Sequence, residues 1–260
     1  MLAFIGAVYL LFAFAFDAFH NIKLIPGLIM MGSLAMPLAT VILFFEMNTP
    51  RNVTFHQVIM LVAFGGVLSL FVSLFGFRLA RLDWLGASEA GIVEEIGKLL
   101  AVVLLARQIK YRYILNGILF GAAVGAGFAV FESAGYAFEA LLEHRSAAAM
   151  ESSIHVRGFL APFAHVAWTA IAAGAFWRVK QDRSLGVKMF FDRGFLKALL
   201  IPVALHMTWN SPLPSPLYLK HFLLGLIAWF VVFGLMQQGL RQVREQQQQA
   251  ARTILASGRY

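Results

Sequence analysis

Residues 114–138 read ILNGILFGAAVGAGFAVFESAGYAF, a run dominated by Ile, Leu, Phe, Val, Ala and Gly with a single charged side chain, Glu132. At 1.5 Å of rise per residue, such a run is long enough to cross the roughly 30 Å hydrocarbon core of a bilayer as one helix. It shows no period-two alternation, so it reads as a helix and not as a barrel strand, and every backbone amide can then be paired within the segment. Gly117, Gly121 and Gly125 recur at four-residue spacing, the pattern that lets a second helix approach closely. A carboxylate placed in such a segment needs a reason.

The rest of the 260-residue chain follows the same plan: 60% of its residues are hydrophobic, 13% are charged, and its mean hydropathy is +0.75. That excess over a soluble domain predicts an all-α, polytopic transmembrane bundle of about eight spans, seven to nine allowing for boundary error. The predicted spans are 2–19, 25–45, 57–77, 88–106, 114–138, 158–177, 195–209 and 218–236. Pro26, Pro202 and Pro212 mark expected starts, kinks or ends. A single integral-membrane domain over 1–236, with a core at about 88–211, is followed by a Gln- and Arg-rich cytoplasmic tail, 237–260. The first segment lacks a basic start and a small-residue cleavage site, so it reads as a retained span.

The net charge of +8 does not indicate nucleic acid, because the cations sit singly or in short clusters flanking apolar blocks. One side of the bundle collects Arg51, Arg107, Lys110, Arg112, Arg178, Lys180, Arg183, Lys188, Arg193, Arg241, Arg244, Arg252 and Arg259. The other has only Lys23, Arg78, Arg81, Arg145, Arg157 and Lys220, so both termini are expected in the cytoplasm. The absence of cysteine excludes disulfides, thiolate metal sites and a cysteine nucleophile.

Most acids and histidines fall in loops or at span ends, as do Asp17 and His20. Glu94, Glu95, Glu132, His165 and His206 fall inside apolar segments, where an ionisable group costs a few kcal/mol to insert. Counted from the outer boundary of each span, Glu94, Glu132, His165 and His206 lie about 8–10 Å deep, a shared layer near the extracytoplasmic face. Residues four apart share a helix face, which pairs Glu94 with Lys98, Phe128 with Glu132, and His206 with Asn210. Glu95 is turned about 100° from Glu94, so one of the two faces the centre and the other meets Lys98 or a neighbouring helix. Interhelical polar clamps would account for any one of these residues; the whole set in one layer points to a functional site.

The ordered set Glu94-Glu95-Ile-Gly-Lys98, Phe128-x-x-x-Glu132, His165 and His206-x-x-x-Asn210 resembles the PrsW family of intramembrane proteases. That family is grouped with the type II CAAX prenyl proteases and the ABI proteins, whose motifs run EExxxR, FxxxH and HxxxN/D. The likeness covers residues 88–211. Glu132 stands where the prenyl branch has His, and Lys98 lies one position before its Arg, so prenylated substrates are not implied. The resemblance implies an endopeptidase of the bacterial inner membrane that cuts a single-span protein, such as an anti-sigma factor, from the extracytoplasmic side.

On that reading Glu94 or Glu95 is the general base on a water, Lys98 steadies the other carboxylate, and His206 and Asn210 donate to the oxyanion. His165 and Glu132 orient water or substrate. A variant places Zn²⁺ on His165, His206 and Glu132, with water in the fourth position. The alternatives from other classes are a proton-coupled transporter or channel and a non-catalytic membrane scaffold.

Overall fold

A computed structural model describes residues 2–256; Arg259 and the rest of 257–260 lie outside it. Every regular element among the described residues is helical: α1 (Leu2–Phe19), α2 (Ile25–Met47), α3 (Phe55–Met60), α4 (Gly66–Ala80), α5 (Ala90–Ala106), α6 (Ile114–His144), α7 (Ala147–Leu160), α8 (His165–Lys180), α9 (Arg193–Asn210) and α10 (Leu219–Ala256). A π-helical stretch, Leu61–Gly65, joins α3 and α4 into one continuous rod.

Five helical stretches are long and apolar enough to cross a membrane: Ile22–Met47, Phe55–Ala80, Ile114–His144, Ala147–Lys180 and Pro216–Thr253. The chain is therefore a multi-pass membrane protein. The three other predicted spans, α1, α5 and α9, are shorter or more polar; α5, with 17 residues, reaches about 26 Å.

The centre of the bundle is α6 packed on α8. Every residue of α6 from Ile114 to Val130 is buried, as is every residue of α8 from His165 to Trp177. A helix apolar on all sides belongs in the interior. The two axes come close because a Cβ at Gly117, Gly121 or Gly125 would strike α8 at the Ala173 carbonyl, the Thr169 carbonyl or the His165 carbonyl. Large side chains such as Phe14, Leu74, Phe75 and Phe230 project outward from the peripheral helices, the surface that lipid covers.

Two departures from the expected layout shape the site. The segment read as an outer loop before residue 158 is helix: Ser146 caps α7, accepting from the Ala149 amide at 3.3 Å. The sixth predicted span is broken, because Pro162 opens a 3₁₀ turn at Ala161–Phe163 and Ala164 is non-helical, so that His165 becomes the first residue of α8. At the other end, α10 continues through residue 237 to Ala256 without a boundary. Pro26 sits in the first turn of α2, Pro202 lies inside α9, and Pro212 follows its end.

Candidate active site

Consecutive acids on α5 point to different places. Glu94 lines a cavity of about 380 Å³, together with Glu132, Arg157, His165, His206 and Asn210. Glu95 is fully buried: its Oε1 accepts from Lys98 Nζ at 2.5 Å, one turn along α5, and lies 2.9 Å from His206 Nδ1 on α9. Lys98 Nζ is also 3.0 Å from His165 Nδ1 and 3.7 Å from Glu94 Oε2, and it stands 4.5 Å above the Phe128 ring. One buried cation thus serves both glutamates, a histidine and an aromatic face, which offsets the cost of removing these charges from water.

The partners set the imidazole tautomers. An ammonium can only donate, so His165 Nδ1 accepts from Lys98 and its proton sits on Nε2, 2.9 Å from Glu132 Oε2 on α6. His206 presents Nδ1 to the Glu95 carboxylate, which places its proton there. Its Nε2 lone pair is left facing Glu94 Oε2 at 3.9 Å.

Glu132 is held by more than His165. Arg157, on α7, donates from Nη2 to Glu132 Oε2 at 2.6 Å and rests its guanidinium 3.9 Å over the Tyr136 ring. Glu132 Oε1 makes no hydrogen bond among the described residues. Trp168, fully buried one turn after His165, stacks on His206 at 4.4 Å and meets His165 edge-on at 5.2 Å. Asn210 donates from Nδ2 to the Ala87 carbonyl at 3.3 Å on the rim.

Glu94, His165 and His206 form the one group among the described residues able to hold a metal ion, with one ligand atom from each within 4.8 Å of the others. The donor set fits: two imidazoles and a carboxylate are a common catalytic zinc triad. Glu94 Oε2 is buried without a hydrogen-bond partner, and Glu95 behind His206 supplies the outer carboxylate that ligating histidines favour. His165 would have to give up its bond from Lys98 or its contact with Glu132 to ligate. The expected carboxylate ligand was Glu132. The structure puts Glu94 in that place, because Arg157 ties Glu132 down on the other side of His165.

All seven residues singled out from the sequence lie in or directly behind this one cavity: Glu94, Glu132, His165, His206 and Asn210 line it, while Glu95 and Lys98 form its buried backing. Asp17, on the peripheral α1, and His20, just after its end, are exposed. Sequence reasoning missed Arg157, counted there as a loop cation, and Trp168. The position of Trp168, three residues after His165 on the same helix face, was the available signal.

The family model described as PrsW family intramembrane metalloprotease matches residues 27–236, from the start of α2 to the middle of α10. No curated protein and no solved structure matches the chain. With this family model matching most of the chain, and with Glu94, Glu132, His165, His206 and Asn210 gathered around one cavity in a multi-pass bundle, the chain belongs to the PrsW family of intramembrane metalloproteases and is a membrane peptidase.

Proposed function

We propose that this peptidase hydrolyses a peptide bond of a single-span membrane protein, of the anti-sigma-factor kind, near the extracytoplasmic face of a bacterial inner membrane, with the partly buried Glu132, in place of the Glu94 or Glu95 expected from the sequence, activating water. The observation that carries this reading is the convergence of Glu94, His165 and His206 from three helices to within 4.8 Å, beside a cavity of about 380 Å³. Eight crossings with both ends cytoplasmic, as the Lys and Arg distribution favours, put that cavity in the outer part of the membrane.

Glu94, His165 and His206 would hold a divalent metal, Zn²⁺ by donor type, which when bound supplies a Lewis acid that acidifies water and polarises the scissile carbonyl. Glu132 Oε1 then takes a proton from water as the water oxygen bonds to the carbonyl carbon. Arg157 holds the other oxygen of that carboxylate in place. Asn210 Nδ2 turns from the Ala87 carbonyl to donate to the oxyanion. Glu132 passes its proton to the departing nitrogen, the C–N bond breaks, and the carboxylic acid so formed gives its remaining proton to the amine, leaving a carboxylate and an ammonium. Glu95 and Trp168 keep His206 in its tautomer and plane, and Lys98 neutralises Glu95.

A transporter would need polar groups continuing to the opposite face. Instead, Leu119, Ala122, Ala123, Val124 and Ile171 form a fully buried apolar layer below the site.

The reading is tested by cleavage of a single-span substrate alongside metal analysis of the purified protein. Glu94→Gln and His206→Ala are expected to lose both metal and cleavage, and Glu132→Gln to lose cleavage while keeping the metal. Full activity in a metal-free sample would remove the metal from the scheme, and undiminished cleavage by all three variants would refute the site.

A further inference from the structure

A second cavity of about 170 Å³ adjoins the first and shares Arg157, His165 and Trp209 with it as a common wall. We propose that this smaller cavity is the specificity subsite, taking one uncharged, mostly apolar side chain of about leucine or methionine size from a residue flanking the scissile bond. The proposal rests on the peptidase reading above.

Position comes first. A carbonyl held beside Glu94 and Glu132 is in contact with the His165 wall, and successive residues of an extended peptide are only about 3.3 Å apart along the chain. The nearest side chain therefore reaches across His165 into the adjoining space. Size comes from volume: about 170 Å³ corresponds to five or six waters at roughly 30 Å³ each, which suits a side chain of about four or five heavy atoms.

Charge decides the class. None of the lining residues is acidic, so a substrate Lys or Arg finds no counter-ion there. The cation on the wall, Arg157, is already charge-compensated by Glu132 at 2.6 Å, so a substrate Asp or Glu finds no uncompensated one, and the unpartnered Arg157 Nε and His221 Nδ1 serve a neutral group as well as a charged one. A charge moved into this space without a partner would be strongly disfavoured. Val156, Leu160, Ala161 and the Trp209 ring supply apolar walls, and His221 packs edge-on to Trp209 at 4.5 Å, closing the side toward α10. The depth of the pocket depends on two replaceable side chains, the partly buried Leu160 and the buried Ala161.

The experiment uses the full-length protein in lipid and a single-span substrate whose residues on either side of the cut are changed in turn to Gly, Ala, Leu, Phe, Asp and Lys. At one of the two positions, the wild type is expected to cleave Leu at least about 10-fold faster, in kcat/KM, than Gly, Asp or Lys. Ala161→Leu should reverse that order in favour of Gly and Ala, and Leu160→Ala should extend it to Phe. Leu160→Ala, a truncation at a partly exposed position, carries the test alone where Ala161→Leu does not fold. Indifference of the wild type at both positions, or an equal loss on every substrate in the variants, overturns the subsite. Failure of the wild type to cut any member of the set overturns the peptidase reading itself, a result separable from the other two.

Discussion

Two buried polar clusters sit at opposite ends of the α6–α8 core, and they are built on different principles. At one end Asn116, fully buried, donates to Asn48 and Asn52 at 3.2 and 2.7 Å, accepts back from Asn52, and caps the Tyr113 amide. Nearby, Lys180 Nζ and Trp177 Nε1 both donate to the Tyr111 carbonyl. No polar side-chain atom of these residues is buried without a partner. At the other end, Glu94 Oε2, Glu95 Oε2, Arg157 Nε, Trp168 Nε1 and Thr169 Oγ1 are all buried without a hydrogen-bond partner. Each such group costs about 1–3 kcal/mol, more when charged. A bundle that closes one polar cluster completely has no packing reason to leave the other open. The open cluster is the one beside the cavity, and the contrast separates a fastening from a reactive site.

The largest effect expected from this contrast is catalytic. Glu132→Gln should lower kcat by about 10²–10⁴-fold, a loss far larger than the modest fall in unfolding midpoint expected from removing the counter-ion of Arg157. Asn116→Leu should do the opposite, losing about 1–3 kcal/mol of stability while each folded molecule turns over at the wild-type rate. Kinetics and unfolding curves on the same preparations check both, and exchanged phenotypes would break the distinction.

Next comes the ion pair behind the site. Lys98→Met leaves Glu95 as an uncompensated buried charge and should cost about 3–5 kcal/mol, whereas Lys98→Met with Glu95→Gln should recover most of that folding stability without recovering activity. A single variant as stable as wild type would mean that Glu95 is not held as a buried ion.

Smaller still is the packing effect. A methyl at Gly121 would collide with the Thr169 backbone, so Gly121→Ala should cost about 1–3 kcal/mol and disturb the adjoining α8 residues, while Gly135→Ala, with open space around it, should be neutral or slightly stabilising. Equal stabilities would deny the close α6–α8 approach. The smallest change is expected at the closed end: Lys180→Met removes two bonds to carbonyls, one of which keeps its Trp177 donor, and should cost about 1 kcal/mol with cleavage untouched.

Much of this was legible in the sequence because lipid imposes length and apolarity on each helix, and an acid or imidazole breaks such a pattern visibly. Gly117, Gly121 and Gly125 announced the α6–α8 contact for the same reason: spacing on one helix is local information. Rotation is not local. Which of Glu94 and Glu95 faces the cavity depends on how α5 is turned against α9, and so does the choice of Glu94 over Glu132 beside the two histidines. Residues 147–160 hid a helix because Glu151, His155 and Arg157 lower its hydropathy, and Arg157 was lost from the site along with it. The break at Pro162 that starts α8 at His165 fell inside an otherwise plausible span.

The central claim, that the open cluster is a water-using site facing the extracytoplasmic side, is met most directly by locating the cut. Purified protein in lipid nanodiscs would be given a single-span substrate and the fragments weighed by mass spectrometry. The account predicts a cut within about seven residues of the extracytoplasmic end of the substrate span, given a depth near 10 Å, and at least about 100-fold less of that fragment from Glu132→Gln over the same time. A cut in the cytoplasmic third, or the same fragments in the same amount from Glu132→Gln, would contradict it.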